Sequence, residues 1–232
     1  MARLPRLDLA GRPHLVVQRG RGDQVVFVDD DDRRRYLSAM LESARECAVA
    51  VHAYVLMDDR VLLLATPSGA ASLARFMQAV GRRYVKAFNH RHDRAGPLWE
   101  GRYRTTVVDS AGSVPACIRL IEQAPMRAGL VARTIDWPWS SATHHAGQRA
   151  DPLVAEHAAY WRLGNTPFER EARHRSESEV LLADQEVRRL LDAAQGGWPI
   201  GSEAFLRGLA QATDRPLRPR SRGRPAKRSP GV

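Results

Sequence analysis

Hydrophobic and polar positions along the chain fall into two periods. Residues 14–20 (HLVVQRG) alternate and carry β-branched side chains, which predicts a strand ending in a glycine turn. QVVFVDDDD at 24–32 is a short apolar run that stops at an acidic cluster, with Asp31 or Asp32 as the expected cap of a following helix. From about Arg33 to Cys47 the period becomes helical, with Tyr36, Leu37, Met40, Leu41 and Ala44 on one face. VAVHAYVLM at 49–57 and VLLLATP at 61–67 read as strands joined by Asp58-Asp59-Arg60, an antiparallel hairpin.

A long helix is expected from about Ala70 to Asn89, burying Leu73, Phe76, Met77, Val80, Tyr84 and Phe88. HRHDRAGPLWEGRYR then reads as a basic loop broken by Gly and Pro, followed by a strand TTVVD at 105–109. Val114 to Gln123 reads as a helix ended by Pro125, and WPWSSA at 137–142 as a compact aromatic turn. Beyond Asp151 the expected pieces are helical, roughly 154–162, 167–195 and 201–212. Strands alternating with helices, without the glycines of a nucleotide loop, give an α+β domain over residues 1–150. A helical C-terminal region follows at 151–213, then a Pro/Arg/Gly-rich tail at 214–232 that composition marks as disordered when unbound.

Charge changes this picture most. The 232 residues carry a net charge of +10, which points to a polyanionic partner. Seven Lys/Arg and no acid lie from Arg215 onward, leaving 29 basic against 26 acidic groups in residues 1–214. A second basic concentration runs from Arg75 to Arg104, with Arg82, Arg83, Lys86, Arg102 and Arg104 interleaved with Tyr84, Phe88, Trp99 and Tyr103. Basic groups mixed with aromatic ones suit nucleic acid, phosphates meeting the cations and bases stacking on rings. The two cysteines, Cys47 and Cys117, stand alone in apolar stretches, which argues against a disulfide framework and fits a reducing cytoplasm. No apolar run is long enough to span a bilayer and no signal-peptide pattern opens the sequence, so no membrane partner is expected.

Several strings together resemble one family, the single-tyrosine transposases of small insertion sequences and in particular the REP-associated tyrosine transposases. They are PHLVVQRG at 13–20, HAYVLM at 52–57, TP at 66–67, FMQAVGRRYVKAFNHRH at 76–92, LWEGRYR at 98–104, PMRAGLV at 125–131 and DWPWSSA at 136–142. GNTPF at 164–168, GGWPIGSEAF at 196–205 and a closing RGRP at 222–225 extend the likeness over nearly the whole chain. The resemblance implies an antiparallel sheet with helices on one or both faces, an HUH transposase-like core of ferredoxin or RRM type. It also implies bacterial, nucleoid-associated DNA chemistry on hairpin or single-stranded DNA, by a monomer or homodimer. In active relatives two histidines at i and i+2 of one strand hold Mg or Mn, which polarises a phosphate that a helical tyrosine attacks. A polar residue one turn beyond the tyrosine completes the metal site.

This chain departs from that pattern at the reaction centre. Relatives read Leu-Met-Pro-Asn-His-Val-His where this sequence has Leu56-Met57-Asp58-Asp59-Arg60-Val61-Leu62, so the two ligand positions are Arg60 and Leu62. Relatives read Tyr-Ile-Glu-Leu-Asn-Pro where this sequence has Leu120-Ile121-Glu122-Gln123-Ala124-Pro125, so the nucleophile position is Leu120 and the third ligand position Ala124. A guanidinium stays protonated and aliphatic side chains have no donor atom, so no catalytic residue, metal ligand or cofactor is expected at these positions. The expected function is binding of hairpin or single-stranded DNA without cutting it; the alternative is an active transposase using another nucleophile.

Arg60 either meets phosphate or salt-bridges Asp58, Asp59 or Glu122. Tyr84 and Tyr103 are the substitute nucleophiles to weigh. Tyr84 falls on an apolar stripe, whereas Tyr103, between Arg102 and Arg104, suits base stacking. His90 with His92, or Asp58 with Asp59, would be a rebuilt metal site. His144-His145 is expected to face solvent or phosphate, and Trp137 and Trp139 to pack. Arg222-Gly223-Arg224-Pro225 matches the core of an AT-hook, in which flanking arginines read a narrow A·T-rich minor groove; a generic basic tail is the other reading.

Overall fold

Alternation along each strand assigns successive side chains to opposite faces, and the sheet is built on that rule. The computed structural model describes residues 5–22 and 24–219. Strands β1 (His14–Arg19), β2 (Val49–Met57), β3 (Arg60–Pro67) and β4 (Arg104–Val107) form one antiparallel sheet of order β2-β3-β1-β4. Helix α1 (Asp30–Cys47) joins β1 to β2, and α2 (Ser72–Arg91) joins β3 to β4. This is the ferredoxin-like β-α-β-β-α-β order, within the α+β antiparallel class that the sequence implies. In β3, Val61, Leu63 and Ala65 face α1 and α2, while Leu62 and Leu64 face the opposite layer. All six residues of the expected α2 stripe, Leu73 to Phe88, are buried against the first face.

The start of α1 differs from the sequence expectation. The cap is Asp29, whose carboxylate accepts from the amides of Asp31 and Asp32. Asp32 lies inside the first turn and is fully buried, accepting from the Val28 amide at 2.9 Å, Arg91 at 2.7 Å and His92 at 2.9 Å. Four consecutive aspartates left the cap ambiguous in sequence, and the cations at the end of α2 decide which one is enclosed. The interaction ties the N-terminus of α1 to the C-terminus of α2, which extends to Arg91 and takes the first residues of the expected basic loop.

The second face of the sheet is covered by α3 (Val114–Glu122), α6 (Ala158–Trp161) and α8 (Asp184–Gly196), which share a core with Leu15, Val55, Leu62 and Leu64. Pro125 does not simply stop α3; it sits in the first turn of a short α4 (Ala124–Arg127). A 3-10 turn (Thr134–Asp136) and α5 (Ala142–His145) follow, and α7 (Pro167–Glu179) and α9 (Glu203–Ala212) complete the chain's helices among the described residues.

The single helix expected over 167–195 is two, separated at residues 180–183, because Gln123 clamps the break. The Gln123 amide donates to the carbonyls of Ser178 at 3.1 Å and Val180 at 2.8 Å, and its oxygen accepts from the Leu182 amide at 3.0 Å. Arg119 and Arg127 donate to the Val180 and Leu182 carbonyls, so backbone groups freed by the break are satisfied.

The GGWPIGSEAF segment closes the free edge of β4. Ile200 donates to the Val107 carbonyl at 2.9 Å and accepts from the Asp109 amide at 2.7 Å, while Asp109 accepts from the amide and hydroxyl of Ser202. A Cβ at Gly201 would lie 2.5 Å from both Asp109 Cβ and Phe205 Cδ1, so only glycine passes there. Covering an edge strand in this way removes a row of open hydrogen-bonding groups.

Removing the Asp32 carboxylate would leave Arg91, His92 and the Val28 amide without their buried partner. Asp32→Ala is expected to lower stability by about 3 kcal/mol in urea unfolding, whereas Asp30→Ala, at an exposed neighbour, has little effect.

Candidate functional site: an arginine-lined cleft

Register places the four departing positions together. Arg60 and Leu62 stand at i and i+2 on the second face of β3, paired with Arg19 and Val17 of β1. Leu120 on α3 and Ala124 at the start of α4 are one turn apart and face the same space. All four line a cleft of about 490 Å³ between the sheet, α3 and α8. Val17, Met57, Leu62 and Leu120 make its sheet and α3 side, and Val187 and Leu191 of α8 make the opposite wall. Arg19, Arg60, Arg102, Arg104 and Arg127 surround it, against Glu100 and Asp192.

The arginines are not equivalent. Arg60 makes a forked pair with Asp59, both N–H···O distances being 2.7 Å. Burial alone would raise the Asp59 carboxyl, but the hydrogen bonds and charge of Arg60 outweigh it and hold it below the ordinary range. Of the partners the sequence allowed Arg60, the structure selects Asp59; Asp58 pairs with Arg33. Arg127 pairs with Asp184 at 2.8 Å. Arg19, Arg102 and Arg104 pair with no carboxylate among the described residues, so three guanidiniums are available to an incoming anion.

Neither a histidine nor a tyrosine lines this cleft, and the described residues include all eight histidines and all five tyrosines. Tyr84, weighed as a substitute nucleophile, is in the other layer and donates to the Val26 carbonyl. Tyr103 is half-buried beneath Arg6, whose guanidinium carbon lies 3.8 Å from the ring centre. Tyr54 donates to Asp151 and Tyr160 to the His145 carbonyl, while Tyr36 is fully buried. Burial pushes all five phenols above their ordinary value, the opposite of what an attacking phenolate needs. The divalent ion implied by the resemblance does not fit at Arg60, Leu62 and Ala124, which offer it a fixed positive charge and two aliphatic side chains.

Other sequence candidates separate from the cleft. Arg82 and Lys86 are exposed on α2, in the layer behind the sheet. Arg83, on the same helix, is engaged by Glu46 at 2.6 Å and Glu42 at 3.5 Å. His90 is exposed while His92 binds Asp32, so that pair does not converge on an ion. Trp137 donates to the Leu56 carbonyl, and Arg33 lies 5.8 Å from the rings of Trp137 and Trp139, in keeping with packing roles. Arg222 and Arg224 lie outside the described residues. Sequence reasoning missed Arg19 and Arg127, both inside the matched strings, and the α8 wall, for which no local signal exists.

Behind α3 is a buried polar cluster that corrects the expectation for His144-His145. His145 is fully buried, and its Nδ1 lies 2.6 Å from one oxygen of Glu122; His174 Nε2 lies 2.7 Å from the other. Ser141 donates to Glu122 at 2.6 Å. The ligand atoms of Glu122, His145 and His174 lie within 4.8 Å of one another and could hold a metal ion. A tetrahedral centre with bonds of about 2.0–2.1 Å would set its ligand atoms about 3.3 Å apart. The shorter contacts here are those of direct charge-assisted hydrogen bonds. Burial would raise the Glu122 carboxyl, but the charges and hydrogen bonds of His145 and His174 outweigh it, holding the group well below its usual value. The cluster fixes α3 against α5 and α7.

Glu122→Gln is therefore expected to cost about 3 kcal/mol near neutral pH in urea unfolding. A depressed folded pKa stabilises fully above the unfolded value, near 4.5, and that contribution is lost as pH falls through the lower folded value. The difference between wild type and variant should thus shrink below about pH 4. Stoichiometric metal in the purified protein, removed by His174→Ala, would instead assign the cluster to ion binding.

No family model and no curated protein matches the chain. Among solved structures, it is similar to a REP-associated tyrosine transposase bound to a REP hairpin, with TM-score 0.55 and 15% identity over 67% of this chain and 92% of that one. A putative transposase from Deinococcus radiodurans R1 is 20% identical over 56% of this chain and 92% of its own, at TM-score 0.35. With the sheet order and the two covered faces, this likeness gives the conclusion that the chain has the fold of a REP-associated tyrosine transposase.

Proposed function

We propose that the chain is a member of the REP-associated tyrosine transposase family that binds hairpin or single-stranded DNA without cleaving it. The observation that carries this reading is the convergence of Arg60, Leu62, Leu120 and Ala124 on one arginine-rimmed cleft. With Arg60, Leu62 and Ala124 at the family's ligand positions and no phenol in its lining, the cleft lacks the groups with which the family runs phosphoryl transfer, while its arginines supply positive charge that positions a nucleic-acid backbone. The similar transposase structure, solved with a REP hairpin, supports structured DNA as the partner.

Arg60, Arg102 and Arg104 are the proposed phosphate contacts of the cleft, joined by Arg19, with Tyr103 beside them. Arg82, Arg83 and Lys86 behind the sheet, and Arg222 and Arg224 of the tail, are proposed as contacts that strengthen binding to any DNA. Phosphate contacts release counterions, so each one lost should weaken binding and reduce the salt dependence of affinity.

The reading is tested by equilibrium binding to a DNA hairpin with a single-stranded flank, against duplex of the same composition. Hairpin preference should persist in EDTA. Arg102→Ala and Arg104→Ala should each weaken hairpin binding and lower the log–log salt slope by about 0.7–0.9. Arg82→Ala should weaken hairpin and duplex alike. Equal affinity for both DNAs, or binding that requires added magnesium, would contradict the reading.

A further inference from the structure

The cleft combines charged side chains with apolar ones. Arg19 and Arg102 are exposed at it, while Leu62 and Leu120 are buried and Val187 and Leu191 are half-buried. A phosphate drawn among those side chains would lose its hydration without gaining donors, which is costly. Among the parts of a DNA strand, a nucleobase suits such a space, because its faces are apolar, its edge is polar and its own phosphates lie a short reach away. Gln18 and Gln195 also line the cleft and carry both donors and acceptors for a base edge. The volume of about 490 Å³ lies within the roughly 300–1,000 Å³ of pockets that enclose small molecules.

We propose that the cleft receives one unstacked nucleobase of the bound DNA, its faces against Leu62, Leu120 and Leu191 and its flanking phosphates on Arg19, Arg102 and Arg104. The inference rests on the DNA-binding reading above and names the part of the DNA that enters. Charge complementarity selects this occupant: a rim of arginines with three free of ion pairs repels a cationic segment and attracts a polyanion. Base capture between apolar side chains costs least where the base is already unpaired, so the preference for hairpin loops or single-stranded flanks follows from the cleft itself. On this account Leu120 and Ala124 are parts of a binding surface, and the lost reaction centre has become a specificity pocket.

The test combines abasic substitution with filling of the cleft. A hairpin is selected by the full chain from a pool randomised in loop and flank, and each unpaired position is then replaced by an abasic site. One position should cost wild type about ten-fold in affinity, within the roughly 1–3 kcal/mol that a captured base contributes. Ala124→Phe should show a similar loss on the intact hairpin, with unchanged salt slope, and no further loss at that abasic position. Val187→Phe, filling the cleft from α8, should reproduce this and guards against misfolding of the first variant. Abasic losses that multiply with both filling substitutions at every position, or the absence of any sensitive position on a hairpin that wild type binds, would overturn the inference alone. Failure of wild type to select any hairpin would overturn the DNA-binding reading along with it.

Discussion

A β-strand sends alternate side chains to opposite faces, and a helix brings residues one turn apart onto a common stripe. These two periods bring Arg60 and Leu62 on β3 opposite Leu120 on α3 and Ala124 beyond it. Four positions separated by up to 64 residues in sequence thereby become one chemical environment. At these four positions the side chains are one guanidinium and three aliphatic groups. The surrounding architecture holds them there, from the register between β1 and β3 to the hydrogen bonds at the edge of β4.

Holding α3 in place requires more than apolar contact. Glu122, two residues beyond Leu120, is fully buried between His145 and His174, and Gln123 fastens the chain between α7 and α8. Such buried polar groups destabilise when half-satisfied, so they penalise any other placement of the C-terminal helices. The consequence for the cleft is direct. The same contacts that break the helix at residues 180–183 aim α8 across the sheet, where Val187 and Leu191 become its outer wall. The polar cluster behind α3 and the apolar cleft before it are two sides of one arrangement.

Most of the sheet layer was legible in the sequence because its periods are local. The strand alternations, the hairpin at Asp58-Asp59 and the apolar stripe of α2 depend only on neighbouring residues, and the positions of Arg60, Leu62, Leu120 and Ala124 stand within short distinctive strings. The cap of α1 was not legible, since choosing among four aspartates depends on Arg91 and His92, about 60 residues away. His145 looked solvent-facing because nothing local reveals that Glu122 and His174 enclose it. The break in the 167–195 helix was hidden for a like reason: Gln123 supplies from another helix the hydrogen bonds that make the break affordable. The α8 wall of the cleft likewise exists only through tertiary packing.

Strand cleavage is the most direct test of the central proposal, that the chain binds DNA without cutting it. Labelled hairpin DNA with single-stranded flanks, incubated with the purified chain and manganese and resolved on a denaturing gel, reports both cut strands and covalent protein–DNA adducts. Intact DNA with no adduct, under conditions where the hairpin is bound, is the predicted result. An adduct that forms with wild type and disappears with a single Tyr→Phe substitution would contradict the account.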